Sequence, residues 1–470
     1  MKRPEGVSFV ANSMANLLVG AAAMGYAVIV PAMVLRRFGT GEYGVWFLAF
    51  QIAAYVLLLD LGSQAVVASE VAGSPTQERA ARLTTAAMVS QAGLAAALVG
   101  AGAAWAMLTG QGELARHVAI LGIAATVSLL ASTVRAWFGG LQRAHVPAVW
   151  LIAARVSALA GLGLALAAHS DLVTLTAAVA LPQLVVHGAL LLWARRPPSP
   201  WARPDRASFL RLVQTSSPLA VWTVAGVFIA GVDVFTVRIV DPSEVGRFAV
   251  ALPLLAIPTG IVTAAMTAWI PRVSAAEAAQ VQGGREMTLD GTAYAAAALS
   301  IGLIFFGGYA DAIVRLWAGP GRWDAAATYL RILYVASCVR FVFIPWSVLV
   351  VVRGEQRLIT FGPLTEAVVN VGASLVLGLW LGAVGVAVGT LAGALVAAVL
   401  YLVKGIGRTA ASGVTASDLT RAAATAWPAT AGAIGVTALD VAGAPAGWRA
   451  LCAVLAAGVG VRWLRRRQPS

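Results

Sequence analysis

Residues 36–72, RRFGTGEYGVWFLAFQIAAYVLLLDLGSQAVVASEVA, contain the pattern that decides the fold. A turn with two arginines and two glycines opens into an apolar run that begins at Tyr43 and is about 28 residues long, more than the ~20 that a helix needs to cross a bilayer. Asp60 interrupts this run. Because a carboxylate is unfavourable in hydrocarbon, we expect Asp60 to face protein or water, as a cation site, a counter-ion for an arginine or a hydrogen-bonding group between packed helices.

A second copy of this stretch begins at Arg238, 202 positions after Arg36. A further pair of related segments, GGLQR at 139–143 and RGEQR at 353–357, supports the same division. Six apolar runs separate the members of each pair, so both copies have the same orientation in the membrane. We therefore predict two parallel six-helix lobes related by an axis along the membrane normal, as in transporters that rock two bundles about a central site.

The composition excludes a soluble domain. Hydrophobic residues make up 60% of the chain and charged residues 11%, whereas soluble proteins carry about 25% charged residues. The net charge of +13 is interpreted as basic cytoplasmic loops, so no nucleic-acid partner is expected. Cys338 and Cys452 lie in apolar runs as small core residues, and the four histidines are expected near membrane interfaces. We expect no metal and no cofactor.

Fourteen apolar runs are long enough to cross the membrane, and all are predicted to be helices because open sheet edges cannot be satisfied in lipid. They are 8–35, 43–71, 83–108, 117–140, 148–168, 172–194, 212–237, 245–271, 291–314, 328–352, 361–381, 384–403, 423–440 and 446–461. With the amino terminus inside, predicted cytoplasmic segments contain 21 of the 33 Lys and Arg residues and the opposite side contains 9. This bias predicts a multi-pass protein of the cytoplasmic (inner) membrane with both termini in the cytoplasm.

The segment RRPPSPWARPDR, residues 195–206, marks the boundary between the lobes, because proline ends a helix and the charges keep the segment at the membrane surface. The predicted organisation has four parts. These are an N-terminal six-helix lobe (1–194), a cytoplasmic linker (195–211), a C-terminal six-helix lobe (212–404) and an additional helix pair with a basic cytoplasmic tail (405–470).

Several segments resemble the polysaccharide-exporter branch of the multidrug/oligosaccharidyl-lipid/polysaccharide (MOP) transporters, the branch of the Wzx-type O-antigen and oligosaccharide flippases. The matching elements are Gly39-x-x-Glu42-Tyr43-Gly44, Asp60-Leu61-Gly62, Asp233 with Glu244-Val245-Gly246, and Gly354-Glu355-Gln356-Arg357 with Asn370. Asp233 is followed by Val234, where the family often has arginine. The resemblance covers the first twelve spans and implies export of undecaprenyl-diphosphate-linked sugars from the inner to the outer leaflet.

Three arginines inside spans are candidate ligands for the diphosphate that the resemblance implies, since a guanidinium binds two phosphate oxygens at once. Arg340 lies about 12 residues from each end of the span 328–352, too deep to reach headgroups easily. The alternative is a structural Arg340 that pairs with a carboxylate or carbonyl inside one lobe. Arg135 and Arg155 lie about 12 Å from the connection at 143–147, a depth that allows either cavity lining or contact with headgroups.

Asp60 and Asp233 are candidates for binding a coupling ion or for balancing charge. Asn12 and Asn16 lie one turn apart on the first span, and this polar stripe either lines a cavity with the substrate or lets two helices pack closely. Glu366 lies near the cytoplasmic end of its span and is expected at the membrane interface.

Together these features predict a flippase that exports undecaprenyl-diphosphate-linked oligosaccharide by alternating access, for O-antigen, capsule or exopolysaccharide. Expected partners are that lipid-linked oligosaccharide, membrane lipids, and a sugar-chain polymerase and glycosyltransferases of the same process. One alternative is a cation-coupled efflux antiporter for small molecules from the same superfamily. A weaker alternative is a membrane glycosyltransferase or polymerase, which needs a larger outer loop than this chain has, so we expect that the protein is not an enzyme.

Overall fold

Apolar runs in lipid fold as helices because each segment must satisfy its own backbone hydrogen bonds. The computed structural model describes residues 7–73, 76–279, 281–353, 356–405, 414–424, 427–441 and 453–454, and no strand occurs among them. Nine described segments are long and apolar enough to cross a membrane, and the two longest, of 57 and 43 residues, are long enough to cross twice. The predicted fold class, an all-α polytopic membrane protein, is confirmed.

The chain forms two compact units that divide between Val227 and Phe228. The first unit contains six helices and the start of a seventh, so the predicted linker lies wholly within it and the lobe boundary at 195–211 stays a prediction. Its helices are α1 (Val7–Leu58), α2 (Ser63–Gly73), α3 (Gln77–Leu108), α4 (Gly112–Gly140), α5 (His145–Ala167), α6 (Leu172–Trp193) and α7 (Arg206–Val240), the last of which continues into the second unit.

The second unit contains the remainder of α7 and eight further helices among the described residues. They are α8 (Val245–Ala279), α9 (Val281–Phe306), α10 (Ala310–Ala318), α11 (Asp324–Phe341), α12 (Ile344–Val352), α13 (Gln356–Leu400), α14 (Ala416–Ala424) and α15 (Trp427–Val441). The predicted last span, 446–461, lies outside the described residues except at 453 and 454.

The predicted first two spans are joined in α1, which kinks at Gly39, where φ is 78°. The expectation that the run from Tyr43 continues as one helix past Asp60 is wrong. Leu61 and Gly62 both have positive φ angles, 45° and 79°, and this left-handed backbone ends α1 and starts α2. Asp60 therefore lies in a turn between two helices.

Two histidines join α4 to α6 by hydrogen bonds, and the equal sequence separation of the two pairs means that these helices are parallel. His117 lies 3.1 Å from Thr176 Oγ1 and His187 lies 2.8 Å from Ser128 Oγ, and both pairs are 59 residues apart in sequence. Each histidine is 1% exposed. Both histidines are buried because hydroxyl partners on the neighbouring helix satisfy them, and their depth in the membrane stays a prediction.

In the second unit, α15 packs directly on α9. Thr430 and Ser300 share a hydrogen bond of 2.7 Å. A Cβ atom at Gly307 would lie 2.5 Å from Thr437 Oγ1, so the two helices approach more closely than larger residues allow. The first of the two additional helices is thus fastened to the unit by specific contacts.

Candidate functional site

The second unit contains a helical hairpin within α13. Gly382 has a φ of 60°, in the left-handed region that favours glycine, and the helix turns back on itself there. Gly385, Gly389 and Gly393 follow at intervals of four, so they share one face. A Cβ atom at Gly389 would lie 2.4 Å from the backbone nitrogen of Ser374. The two halves approach this closely because small residues line the contact, as in other packed membrane helices.

Three polar side chains on the first half of the hairpin form a stripe. Glu366, Asn370 and Ser374 are spaced by four residues, and all three are buried. Ser374 Oγ lies 2.9 Å from Asn370 Oδ1 and 3.0 Å from the carbonyl oxygen of Val386 on the second half. Because buried polar groups need partners, these hydrogen bonds fix the register of the hairpin.

Asp233 on α7 completes this polar cluster. The residue is 3% exposed, and Thr390 on the second half of the hairpin donates a hydrogen bond of 2.8 Å to its Oδ2. The Asn370 amide lies beside it. Asp233 Oδ1 is buried and has no hydrogen-bond partner among the described residues. The Asp233 carboxylate therefore accepts from the hydroxyl of Thr390 and lies beside the amide of Asn370, with one of its own oxygens left for a further ligand.

Arg340 and Glu366 form an ion pair beside the cluster. Arg340 Nε donates to Glu366 Oε1, and the two side chains are 18% and 6% exposed. Both groups interact electrostatically with Asp233. Arg340 Nη2 is buried without a partner in the part of the chain that the structure describes. The α13 hairpin buries Glu366, and its depth in the membrane stays a prediction.

This ion pair matches the structural alternative for Arg340, a guanidinium neutralised by a carboxylate inside one unit. Arg340 also lies at the end of α11 rather than in the middle of a long helix, because the predicted span 328–352 breaks after Phe341. Direct contact between Arg340 and a diphosphate stays a prediction, and the pairing argues for a supporting role instead.

Arg155 on α5 is held by neutral groups in the first unit. Its Nη1 donates to Gln183 Oε1 on α6, and its guanidinium carbon lies 4.6 Å from the ring centroid of Tyr26 on α1. Gln183 Nε2 donates in turn to the Tyr26 hydroxyl at 3.1 Å. These contacts orient the guanidinium plane, and no carboxylate among the described residues neutralises it.

Arg135 on α4 is half-buried and forms no hydrogen bond or ion pair with another described residue. Its neighbour Thr133 donates to Gln91 Oε1 at 2.8 Å, and Gln91 Nε2 donates to Ser63 Oγ at 2.7 Å. The predicted arginines of this unit, Arg135 and Arg155, thus add two positive charges that no described carboxylate compensates.

The remaining predicted site residues are Asp60, Asn12 and Asn16. The Asp60 carboxylate accepts hydrogen bonds from the backbone N–H groups of Gly62 and Gln64, as a capping residue does at the start of a helix. Cation binding by Asp60 stays a prediction. Asn12 and Asn16 lie in α1, and their side chains lie outside the described part of the structure.

An arginine near the start of a long helix pairs with a later aspartate in each unit. In the second unit Arg285 on α9 lies 2.9 Å from Asp418. The backbone N–H of Thr415 donates to the Asp418 carboxylate at 3.1 Å, and this hydrogen bond, with the one from Arg285, lowers the pKa of Asp418. In the first unit Arg82 on α3 pairs with Asp205 at 3.1 Å.

Sequence reasoning did not assign a role to Ser374, Thr390 or Glu366, and it noted Asn370 only through the resemblance. A signal was present, because Glu366, Asn370 and Ser374 recur every four residues. The glycines that face them recur at the same interval.

A family model described as polysaccharide biosynthesis protein matches residues 9–277, more than half of the chain. The lipid II flippase MurJ, in an inward closed conformation, is similar in structure, with a TM-score of 0.75, 11% identity, and coverage of 97% of this chain and 99% of that chain. No curated protein matches the chain.

Two other solved structures show the same fold. A MOP superfamily transporter from Pyrococcus furiosus has a TM-score of 0.64 and 15% identity, with 87% of this chain and 96% of that chain covered. An inward-facing multidrug resistance MATE family transporter of the MOP superfamily has a TM-score of 0.63 and 16% identity, with 86% and 95% covered. The chain belongs to the polysaccharide biosynthesis protein family, and its fold is that of MOP-superfamily transporters.

Proposed function

We propose that this protein is a flippase for an anionic lipid-linked oligosaccharide in the cytoplasmic membrane, with both termini in the cytoplasm. The observation that carries the proposal is the pair of arginines in the first unit, Arg135 and Arg155, for which no described carboxylate supplies a counter-charge. An unpaired arginine in hydrocarbon is unfavourable by at least ~2.5–3.5 kcal/mol, so each needs water or an anion. A diphosphate head supplies that anion.

Arg155 has the better geometry for a phosphate. The contacts with Gln183 and Tyr26 fix the plane of its guanidinium, so less side-chain entropy is lost when the remaining N–H groups bind phosphate oxygens. Arg135 adds a second positive charge on a neighbouring helix of the same unit. The family assignment supports a sugar carried on a lipid, and the sugar chain is the product of glycosyltransferases and the substrate of a polymerase.

The second unit supplies a coupling site for a monovalent cation. Asp233 and Glu366 carry two negative charges and Arg340 one positive charge, so one further positive charge neutralises the cluster. The orphaned Asp233 Oδ1 and the surrounding oxygens of Asn370 and Thr390 suit Na⁺, a hard cation that prefers oxygen ligands. No group of three His, Cys, Asp or Glu residues with metal-binding geometry occurs in the described ranges.

The energetics fit outward movement of an anion. A head with about two negative charges gains roughly 4–5 kcal/mol per 100 mV when it moves outward across a membrane that is negative inside. Entry of Na⁺ at Asp233 adds a second driving force. The arginines hold the head within the protein while the prenyl tail stays in lipid.

The test is binding of short-chain polyprenyl diphosphate to the purified protein, compared with the monophosphate and the uncharged prenol. The wild type should bind the diphosphate most tightly, and Arg155→Gln and Arg135→Gln should each weaken it about tenfold, as expected for loss of one charge-assisted contact. Arg116→Gln, an exposed arginine of the same unit, is the control and should bind normally. Equal binding of diphosphate and prenol contradicts the proposal.

The efflux antiporter is the second candidate, because a buried carboxylate such as Asp233 also suits exchange of a cation for a small molecule. It predicts Na⁺-dependent or proton-dependent transport of an organic cation into vesicles, and no effect of Arg155→Gln on that transport. Export of lipid-linked sugar with no organic-cation transport favours the flippase.

A further inference from the structure

Two buried polar atoms of the cluster in the second unit have no partner among the described residues, and they are complementary. Asp233 Oδ1 is an acceptor and Arg340 Nη2 is a donor. Orphaned buried groups are rare because each one loses its interactions with water. Finding one of each kind in one cluster therefore indicates two groups that meet in another state of the protein.

Asp233 Oδ1 and Arg340 Nη2 lie near adjacent turns of α13, because the residues of α13 beside Asp233 and Arg340 are one helical turn apart. Arg340 is bound to Glu366, and Asp233 lies beside Asn370, which follows Glu366 by four residues, one helical turn. Arg340 and Asp233 interact electrostatically and are not within ion-pair distance of each other. An arginine side chain is long enough to reach from one helical turn to the next by a change of rotamer, so no helix has to move.

Arg340 has the freedom to make that change. Only its Nε is engaged with Glu366, and a guanidinium has five N–H donors. The backbone after it is not continuous helix, since α11 ends at Phe341 and α12 starts at Ile344. The guanidinium can therefore turn toward Asp233, and the two carboxylates compete for it.

We propose that Arg340 is an internal counter-ion that competes with Na⁺ for Asp233. This inference rests on the proposed cation site. With Na⁺ bound, Asp233 and Glu366 each have their own positive partner. When Na⁺ leaves, Arg340 Nη2 pairs with Asp233 Oδ1, so the carboxylate is never left uncompensated in the protein interior. Glu366 is a positioning residue, because it draws Arg340 away from the site.

The test is the Na⁺ concentration that half-saturates thermal stabilisation of the purified full-length protein, with choline keeping ionic strength constant at one pH. Glu366→Gln releases Arg340 to Asp233 and should raise that concentration about tenfold. The double variant Arg340→Gln/Glu366→Gln removes the competitor without changing net charge and should lower it below the wild-type value. These shifts have opposite signs, which a merely structural ion pair does not predict.

The matched control is Arg331→Gln/Asp311→Asn, which removes another ion pair made by α11 and should leave the half-saturating concentration unchanged. If Asp233→Asn responds to Na⁺ like the wild type, or the wild type does not respond, the proposed cation site is wrong and this inference falls with it. If Asp233→Asn abolishes the response but Glu366→Gln and the double variant Arg340→Gln/Glu366→Gln both stay within about twofold of the wild type, only the exchange is refuted.

Discussion

Replacement of Gly389 by alanine tests the packing that creates the cation site. A Cβ atom there would lie 2.4 Å from the backbone nitrogen and 2.5 Å from Cα of Ser374. Favourable contacts between carbon atoms lie at ~3.5–4.0 Å, so the two halves of α13 must separate by about 1 Å. Backbone atoms cannot move aside as a flexible side chain does, and we expect destabilisation by ~1–3 kcal/mol.

The separation of the two halves of α13 should also disrupt the proposed cation site at Asp233. Thr390 is the next residue, so a shift of this half of α13 should strain its 2.8 Å hydrogen bond to Asp233. Gly389→Ala should therefore lower Tm and also abolish stabilisation by Na⁺, both measured from intrinsic tryptophan fluorescence during heating.

Gly372 provides the matched control on the same helix. A Cβ atom at Gly372 meets nothing within 4 Å, so Gly372→Ala should keep the Na⁺ response and leave Tm equal or slightly raised, because alanine favours a helix by ~0.5–1 kcal/mol over glycine. Equal Tm values and equal Na⁺ responses for the two variants would refute the close approach of the hairpin halves.

Three further outcomes are expected. Gln183→Leu removes the acceptor that orients Arg155 and should weaken polyprenyl diphosphate binding about tenfold with little change in folding, whereas loss of expression would show a structural role instead. Truncation after Arg421 removes α15 but should leave the preceding helices inserted, with a lower Tm; failure to reach the membrane fraction contradicts this. Asp418→Asn should lower Tm at neutral pH. The pKa of Asp418 is lowered in the folded protein, so its ionised carboxylate stabilises the fold at pH values above its ordinary pKa. This stabilisation is lost as the pH falls through the lowered pKa. The two Tm values should therefore converge at acid pH, and a constant difference would contradict the linkage.

The helical fold could be read from the chain because lipid leaves few alternatives. Long apolar runs must become helices or barrels, and no run here alternates with the period of a strand. Local signals also located several ends: proline and arginine mark the segment at 195–206, and Gly39 and Gly382 mark the sharpest turns. The loop charges predict the orientation in the membrane, and the internal repeats predict the two-lobed organisation. Both signals can be read without knowing which residues are in contact.

Hydropathy does not predict the burial of a polar group when that burial depends on a distant partner. Glu366 was expected at the interface because its position within the span is close to one end. It is buried because Arg340, 26 residues earlier, neutralises it and the hairpin covers it. The burial of His187 was not predicted for the same reason, since its partner Ser128 is 59 residues away.

The sequence by itself determined that the protein is a helical membrane protein and which apolar runs contain charged residues. Only the tertiary structure decided which of those residues are paired. Asp233 meets Thr390 across 157 residues because three glycines let the halves of α13 approach, and Arg340 meets Glu366 because the end of α11 packs on that same hairpin. The stability of a buried charge depends on the atoms within a few ångströms of it, and helix packing, not position along the chain, selects those atoms.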